Sequence, residues 1–353
     1  MKGLILSGGH GTRLRPLTYS TQKQLIPVAN KPVLFYAIED IINASINEIG
    51  IITGPNREQV IETVNKVNWN TKIEFIHQGD PLGIAHAVYI AKDFIENDKF
   101  VVYLGDNILL GGIKEYKEKF EKSDSDALIL LTEVNDPQRF GVAVLDENKR
   151  VIKLIEKPKN PPSNYALVGI YFFKPIIFEA IKHIKPSWRN ELEITDAIQW
   201  LIDNGYKVEA EFVRGWWKDT GKPEDILEAN RIILDGKIDY YNEGEIINSK
   251  IYGRVKIEKG TKIENSVIKG PVIIDKNTII KDSYIGPYTS IGENCIIENS
   301  EIEDSVIMDG TEIKNMERIS ESLIGRNVKV NKTRMKPATN KFVIGDTSSI
   351  EII

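Results

Sequence analysis

The residues with the most chemical promise stand at the start of the chain. Ser7–Gly8–Gly9–His10–Gly11–Thr12–Arg13–Leu14 directly follows a short apolar run. Glycines let backbone amides approach a phosphate chain and donate to its oxygens. Arg13 adds a permanent forked donor that suits phosphate. The run is not a P-loop, because no Gly-Lys-Ser/Thr closes it, and Leu14 stands where a dinucleotide fingerprint needs its third glycine. By itself such a run serves equally well as a tight turn. Ten residues on, Lys23 precedes Gln24–Leu25–Ile26–Pro27–Val28. A lone lysine is ordinarily a solvated surface charge, but two cations flanking one glycine turn suit a polyphosphate. Asp106, just past the apolar run Phe100–Leu104, has the setting of a metal ligand, and Asp219 lies in a turn between Trp217 and Gly221. Magnesium takes hard oxygen ligands, one or two carboxylates plus phosphate oxygens. Each aspartate also has an ordinary alternative, an Asx turn for Asp106 and a helix-cap region before Pro223 for Asp219.

The scaffold around these residues reads as alternating strands and helices. Leu4–Ser7, Ile49–Thr53 and Phe100–Leu104 have the apolar runs of buried strands, and Ile73–His77 also reads as a strand. Pro32–Asn43, Glu58–Asn65, Ile84–Asp93, Glu191–Asn204 and Pro223–Leu234 read as helices. This predicts an α/β, Rossmann-like domain with a mostly parallel sheet over residues 1–235. Asp106 then falls on the carboxyl edge, where open α/β sheets bind ligands. Gly236, Asn242 and Gly244 mark a linker over 236–245. Beyond it the period changes to six, at Ile251, Ile257 and Ile263, then Val267, Ile273, Ile279, Ile285, Ile291 and Ile297, then Ile307, Ile313 and Ile319. Six suits neither a helix nor one long strand. It suits a three-sided parallel β-helix over 246–353.

Composition removes several classes. With 46 basic and 51 acidic side chains the net charge is −5, so there is no bulk pull on nucleic acid or anionic lipid. The one cysteine, Cys295, cannot form an intrachain disulfide, which fits a cytoplasmic setting. No apolar run approaches the ~20 residues that span a bilayer, and Met1–Leu6 lacks the features of a signal peptide.

Taken together, Gly8–Leu14 and Lys23–Val28 resemble the signature of the sugar-1-phosphate nucleotidylyltransferases. Further stretches agree in order. Gln78–Gly79–Asp80–Pro81–Leu82–Gly83–Ile84–Ala85–His86–Ala87 is similar to the family's base-reading loop, and Leu104–Gly105–Asp106–Asn107 to its metal-binding strand end. Ile155–Glu156–Lys157–Pro158 and Val168–Gly169–Ile170–Tyr171 resemble its sugar-site motifs, and Trp217–Lys218–Asp219–Thr220–Gly221 its second metal motif. Lys23–Gln24 and the hexad tail look most like the long form of the glucose-1-phosphate thymidylyltransferase branch.

The resemblance implies Mg²⁺ on Asp106 and Asp219, with Arg13, Lys23 and Lys157 as the catalytic cations. It implies nucleotide contacts from Gly8, Gly9, Gly11, Thr12, Arg13, Lys23, Gln78, Pro81, Gly83 and Asp106. It implies sugar contacts from Asn107, Gly141, Glu156, Lys157 and Val168. The implied reaction is dTTP plus glucose 1-phosphate to dTDP-glucose plus pyrophosphate, by attack of the sugar phosphate on the α-phosphorus. His86 departs from the short-form branch, where glutamine is common, and is read as a helix surface residue. Uridylyltransferases often carry histidine there, and one methyl is worth only ~1–3 kcal/mol, so some UTP use is expected. The rival readings are a uridylyltransferase or adenylyltransferase of the same fold, and a non-catalytic regulatory subunit. The resemblance makes the tail a left-handed β-helix. Such domains often belong to acyltransferases with a histidine base, but no histidine follows His183. The tail is therefore read as structural, a site of homo-oligomer contact. Its removal is expected to leave nucleotide chemistry in place.

Overall fold

An apolar run with no polar alternation makes the central strand. Lys2–Ser7 (β1) is buried at every residue, as a strand covered on both faces must be. Glu48–Thr53 (β2) pairs parallel with β1, Lys72–His77 (β3) pairs parallel with β2, and Phe100–Leu104 (β4) pairs parallel with β1 on its other side. The chain thus leaves β1 in both directions. That switch point opens a crevice beyond the carboxyl ends of the strands. Gly8, Gln78 and Asp106 all follow strands that end on this edge.

The computed structural model describes residues 1–332 and 344–350. Contacts group them into two units. The first comprises Met1–His10, Gln22–Leu25 and Val33–Asp219, and the second Gly11–Thr21, Ile26–Pro32 and the described part of Thr220–Ile353.

In the first unit the expected parallel sheet is extended by an antiparallel flank. After the short strand Asn107–Leu109 (β5) come Ala127–Glu133 (β6), Gly141–Leu145 (β7), Val151–Glu156 (β8) and Tyr165–Phe173 (β9). β9 runs antiparallel to β4, β6 and β7, and β8 antiparallel to β7. Val208–Phe212 (β10) adds a parallel partner to β6. Trp217–Asp219 (β11) pairs with β5. Side chains alternate between two cores. Leu4, Leu6, Val102 and Phe173 face one, with Ile194, Ile198 and Leu201 of helix Ile194–Asp203. Ile5, Val101, Tyr103 and Phe172 face the other, with Leu34, Ile38 and Ile41 of helix Val33–Asn43. The single helix expected over Ile84–Asp93 is two, Ile84–Tyr89 and Lys92–Ile95. Ala91 N reaches Val88 O, a tightened step that interrupts the ladder between them.

The second unit holds the helix Pro223–Lys237 and a left-handed parallel β-helix whose short strands stack in three sheets. Where the sequence marks a linker, the helix runs on to Lys237 and the first coil strands stand at Tyr241–Asn242 and Glu245–Ile247. The hexad phase needs correction in one stretch. The interior column contains Ile268, Ile274 and Ile280 in place of Val267, Ile273 and Ile279, and Ile279 is 43% exposed. The cause is a corner that saves a residue. Asn265, Asp282 and Asn299 turn with positive φ, and each is followed by a buried serine. The serines form a ladder, Ser283 N donating to Ser266 Oγ at 3.0 Å and Ser300 N to Ser283 Oγ at 3.1 Å. Val255 aligns with Val272, and Val272 with Thr289, so a coil advances 17 residues, not three full hexads. Residues 333–343 and 351–353 of the expected β-helix lie outside the described residues.

Candidate active site

Asp106 and Asp219, far apart in sequence, become neighbours through one small antiparallel pair. Asp219 on β11 stands opposite Asn107 on β5. Asn107 is buried, donates its amide to Asp106 Oδ1 at 2.9 Å and accepts from Trp217 Nε1 at 2.7 Å. Lys23, in the short helix Lys23–Leu25, is itself buried. Its ammonium hydrogen-bonds Asp106 Oδ2 and lies 3.9 Å from Asp219 Oδ1. Burial would raise the Asp106 pKa, but the Lys23 charge and hydrogen bond outweigh it and hold the carboxyl below its ordinary value. Among the described residues no set of three or more His, Cys, Asp or Glu side chains could hold a metal. What the geometry does show is two carboxylates gathered around one buried cation.

A second group forms where β8 ends. Glu156 lies opposite Gly141 in the β7–β8 register. A Cβ on Gly141 would stand 2.7 Å from Thr195 Cγ2 and 3.2 Å from Glu156 Oε2, so a side chain there would crowd both. Thr195 donates to Glu156 Oε2 at 3.2 Å. Burial pushes the Glu156 pKa up, opposed by Lys157 and Arg189, with Glu193 adding to the rise. Lys157 has a φ of +40°, which breaks the strand alternation and lets its ammonium come within 3.6 Å of the Glu156 carboxylate. Arg189 was not expected. It lies 3.7 Å from Glu156 and 3.3 Å from the buried Glu193. Nothing in its spacing marks it; only the acids around it, Glu191 and Glu193, hint at a held guanidinium. Val168 is fully buried in the core. A Cβ on Gly169 would stand 2.9 Å from Asn107 Oδ1, and this close approach ties β9 to the metal-type group.

The loop after β3 supplies an amide. Gln78 Nε2 donates to Gly83 O at 3.4 Å and to His86 Nδ1 at 3.3 Å. Gly8 leaves room for the amide oxygen, since a Cβ there would lie 2.7 Å from Gln78 Oε1. Gly9 faces open space. Gly83 has a φ of +108°, and a Cβ on it would meet Leu192 O at 2.5 Å. Leu192 N bonds Leu82 O and Ala85 N bonds Leu192 O, so this loop is pinned to the segment that carries Arg189. Pro81 is half-buried in it. Ser7 Oγ, buried at the end of β1, has no hydrogen-bond partner among the described residues. The other expected phosphate contacts, Gly11, Thr12 and Arg13, belong to the second unit. There Gly11 turns with φ +62° and its carbonyl accepts from Leu14 N and Thr18 Oγ1.

A Rossmann-like sheet with a glycine turn, a shared lysine–diaspartate centre and a second charged group defines a nucleotidyl-transfer scaffold. The chain belongs to the nucleotidyl transferase family, which matches residues 2–236; the GMPPB C-terminal domain matches residues 268–351. It is 48% identical to a glucose-1-phosphate thymidylyltransferase of Streptomyces antibioticus, over 100% of this chain and 99% of that one. It is 47% identical to a low-salt glycan biosynthesis nucleotidyltransferase of Haloferax volcanii, over the whole of both chains. Among solved structures, it is similar to a protein assigned as a glucose-1-phosphate thymidylyltransferase from Bacillus anthracis, in complex with sucrose. That match has a TM-score of 0.61 and 39% identity, covering 69% of this chain and 98% of that one.

Proposed function

We propose that this chain joins glucose 1-phosphate to dTTP, giving dTDP-glucose and pyrophosphate. The observation that carries this is the β5–β11 pairing, which gathers Asp106 and Asp219 around Lys23. Three full-length relatives at 44–48% identity support the class, two of them thymidylyltransferases by name. A phosphate oxygen of the sugar phosphate bonds to the α-phosphorus, and the bond to the β-phosphate breaks opposite it. A sugar phosphate is already an anion near neutral pH, with a second pKa of about 6, so no general base is required. Catalysis then rests on charge neutralisation and position.

Arg13, with the backbone around Gly8, Gly9, Gly11 and Thr12, receives the triphosphate and steadies the departing pyrophosphate. Lys23 neutralises the reacting phosphates. Lys157 and Arg189 hold the attacking sugar phosphate, while Glu156, Asn107 and the Gly141 and Val168 backbones receive sugar hydroxyls. Gln78, Pro81 and Gly83 receive the base. Asp106 and Asp219 are the residues that would hold Mg²⁺, and their hard oxygen donors suit it. Bound there, the cation supplies charge stabilisation to the phosphates. UTP is a second, weaker substrate. By this reading residues 1–235 form the catalytic domain, 236–245 the linker and 246–353 a β-helix used in homo-oligomer contact. No helix among the described residues is long and apolar enough to cross a membrane, and a cytoplasmic setting fits the unpaired Cys295. The test is pyrophosphate release with Mg²⁺ across a panel of nucleoside triphosphates and hexose 1-phosphates. Release fastest with dTTP and glucose 1-phosphate supports the reading, and no release with any pair ends it.

A further inference from the structure

We propose that His86 sets base selectivity by fixing which end of the Gln78 amide a nucleotide meets. The inference rests on Gln78 as the base reader proposed above. An amide nitrogen only donates, so in the contact at 3.3 Å His86 Nδ1 accepts, and the neutral ring carries its proton on Nε2. Gly83 O takes the other amide hydrogen at 3.4 Å. Both donors of Gln78 are thus engaged within the chain. What remains for a ligand is the lone pairs of Oε1, which occupies the room left by the missing side chain of Gly8, beside the open face of Gly9.

An acceptor at this point selects among bases. Thymine and uracil present an N3–H between two carbonyls and can donate to it. Cytosine presents an unprotonated N3 and adenine an unprotonated N1, each an acceptor facing an acceptor. A site built around one polarity rejects a ligand of the other more strongly than it rejects a missing methyl. His86 is therefore a positioning residue. Without its Nδ1 the amide loses one of the two acceptors that hold its nitrogen, and can turn that nitrogen to the ligand. A glutamine free to turn pairs with either polarity.

The experiment measures kcat and KM for dTTP, UTP and CTP with glucose 1-phosphate and Mg²⁺ in full-length protein. The variants are His86→Phe, His86→Asn and Gln78→Leu. Phenylalanine keeps ring volume without an acceptor; asparagine places Oδ1 where Nδ1 stood. The expected result is a dTTP-to-CTP ratio of kcat/KM at least tenfold lower in H86F, carried by KM, with the UTP-to-dTTP ratio unchanged. H86N restores the CTP discrimination. Should H86F melt early, His86→Leu is read the same way. An unchanged ratio in H86F and H86L, while Q78L lowers it, overturns the role of His86 and leaves Gln78 as base reader. An unchanged ratio in Q78L overturns both. Absence of transfer by the unaltered protein is the separate failure of the proposed function.

Discussion

Lys23 is where both carboxylates converge, so the site's charge balance hangs on three side chains. Replacing Asp106 or Asp219 with asparagine keeps shape but removes the anion that would hold a cation. We expect kcat to fall by at least about a hundredfold, roughly 2.7 kcal/mol, with the circular dichroism spectrum intact; pyrophosphate release measures it. Glu156 behaves in the opposite sense. Its pKa is raised in the folded state, chiefly by burial. The folded protein therefore holds that proton more tightly than the unfolded chain does, and stability is lost as pH rises from the unfolded value, near 4.3, through the folded one. Glu156→Gln should melt higher at pH 7, with the gain shrinking toward pH 4, while KM for glucose 1-phosphate rises. A lower melting temperature at pH 7 would contradict the raised pKa. Lys23 and Asp106 could be singled out because Lys23–Val28 and Leu104–Asn107 each resemble a family motif, where the residue alone has an ordinary alternative. Arg189, Thr195 and Trp217 could not, since each gains its role only from what it touches in the fold.

At the scale of elements, the pairing of β5 with β11 is what makes a site from distant segments. Trp217 Nε1 holds Asn107, which holds Asp106. Trp217→Phe keeps the ring and loses that donor; one hydrogen bond is worth about 1 kcal/mol, so activity should drop roughly fivefold. Gly169→Ala is the harsher change. Its Cβ would stand 2.6 Å from Leu104 Cδ1 and 2.9 Å from Asn107 Oδ1, forcing the strand end that carries Asp106 to shift. A fall in kcat of about tenfold or more is expected, and wild-type kinetics in purified G169A would show that β9 does not set this geometry. Periodicity could reveal β1, β2 and β4, because strands buried on both faces are largely apolar, and β3, whose polar and apolar residues alternate. It could not separate the antiparallel flank, where β8 mixes buried, half-buried and exposed residues without strict alternation and β9 pairs with β4 and β6 from much earlier in the chain. The coil repeat was visible, but a period of six cannot register a five-residue face. That face exists because Asn265 and its counterparts accept positive φ and the following serine turns inward.

At the scale of the molecule, sequence position and physical grouping part company. All the motif residues precede residue 222, which suggested that the tail could be removed without touching the chemistry. The second unit, however, includes the turn that carries Arg13. From Gly11 to Thr21 the chain has little regular structure, only the short helices Thr12–Leu14 and Leu17–Tyr19. Its order must come from what it packs against. Arg326 donates to Thr21 Oγ1 at 3.2 Å, and a Cβ on Gly325 would stand 3.0 Å from Leu17 Cδ2. Asn30 donates to Ile291 O at 2.6 Å, while Asn230 accepts from Ala29 N and donates to Tyr288 O, each at 2.9 Å. Residues 1–245 alone would keep Asn230 but lose Tyr288, Ile291, Gly325 and Arg326. We therefore expect the truncated chain to release pyrophosphate at least about tenfold more slowly, a loss of roughly 1.4 kcal/mol or more. Gly325→Val in the full chain isolates the effect. It leaves every proposed ligand in place and overpacks Leu17, a change worth about 1–3 kcal/mol when no neighbour yields. If the coils order the Arg13 turn, G325V raises KM for dTTP and leaves the KM for glucose 1-phosphate unmoved. A truncated chain with full activity, or a G325V protein with native KM for dTTP, would mean that the turn holds its shape without the coils.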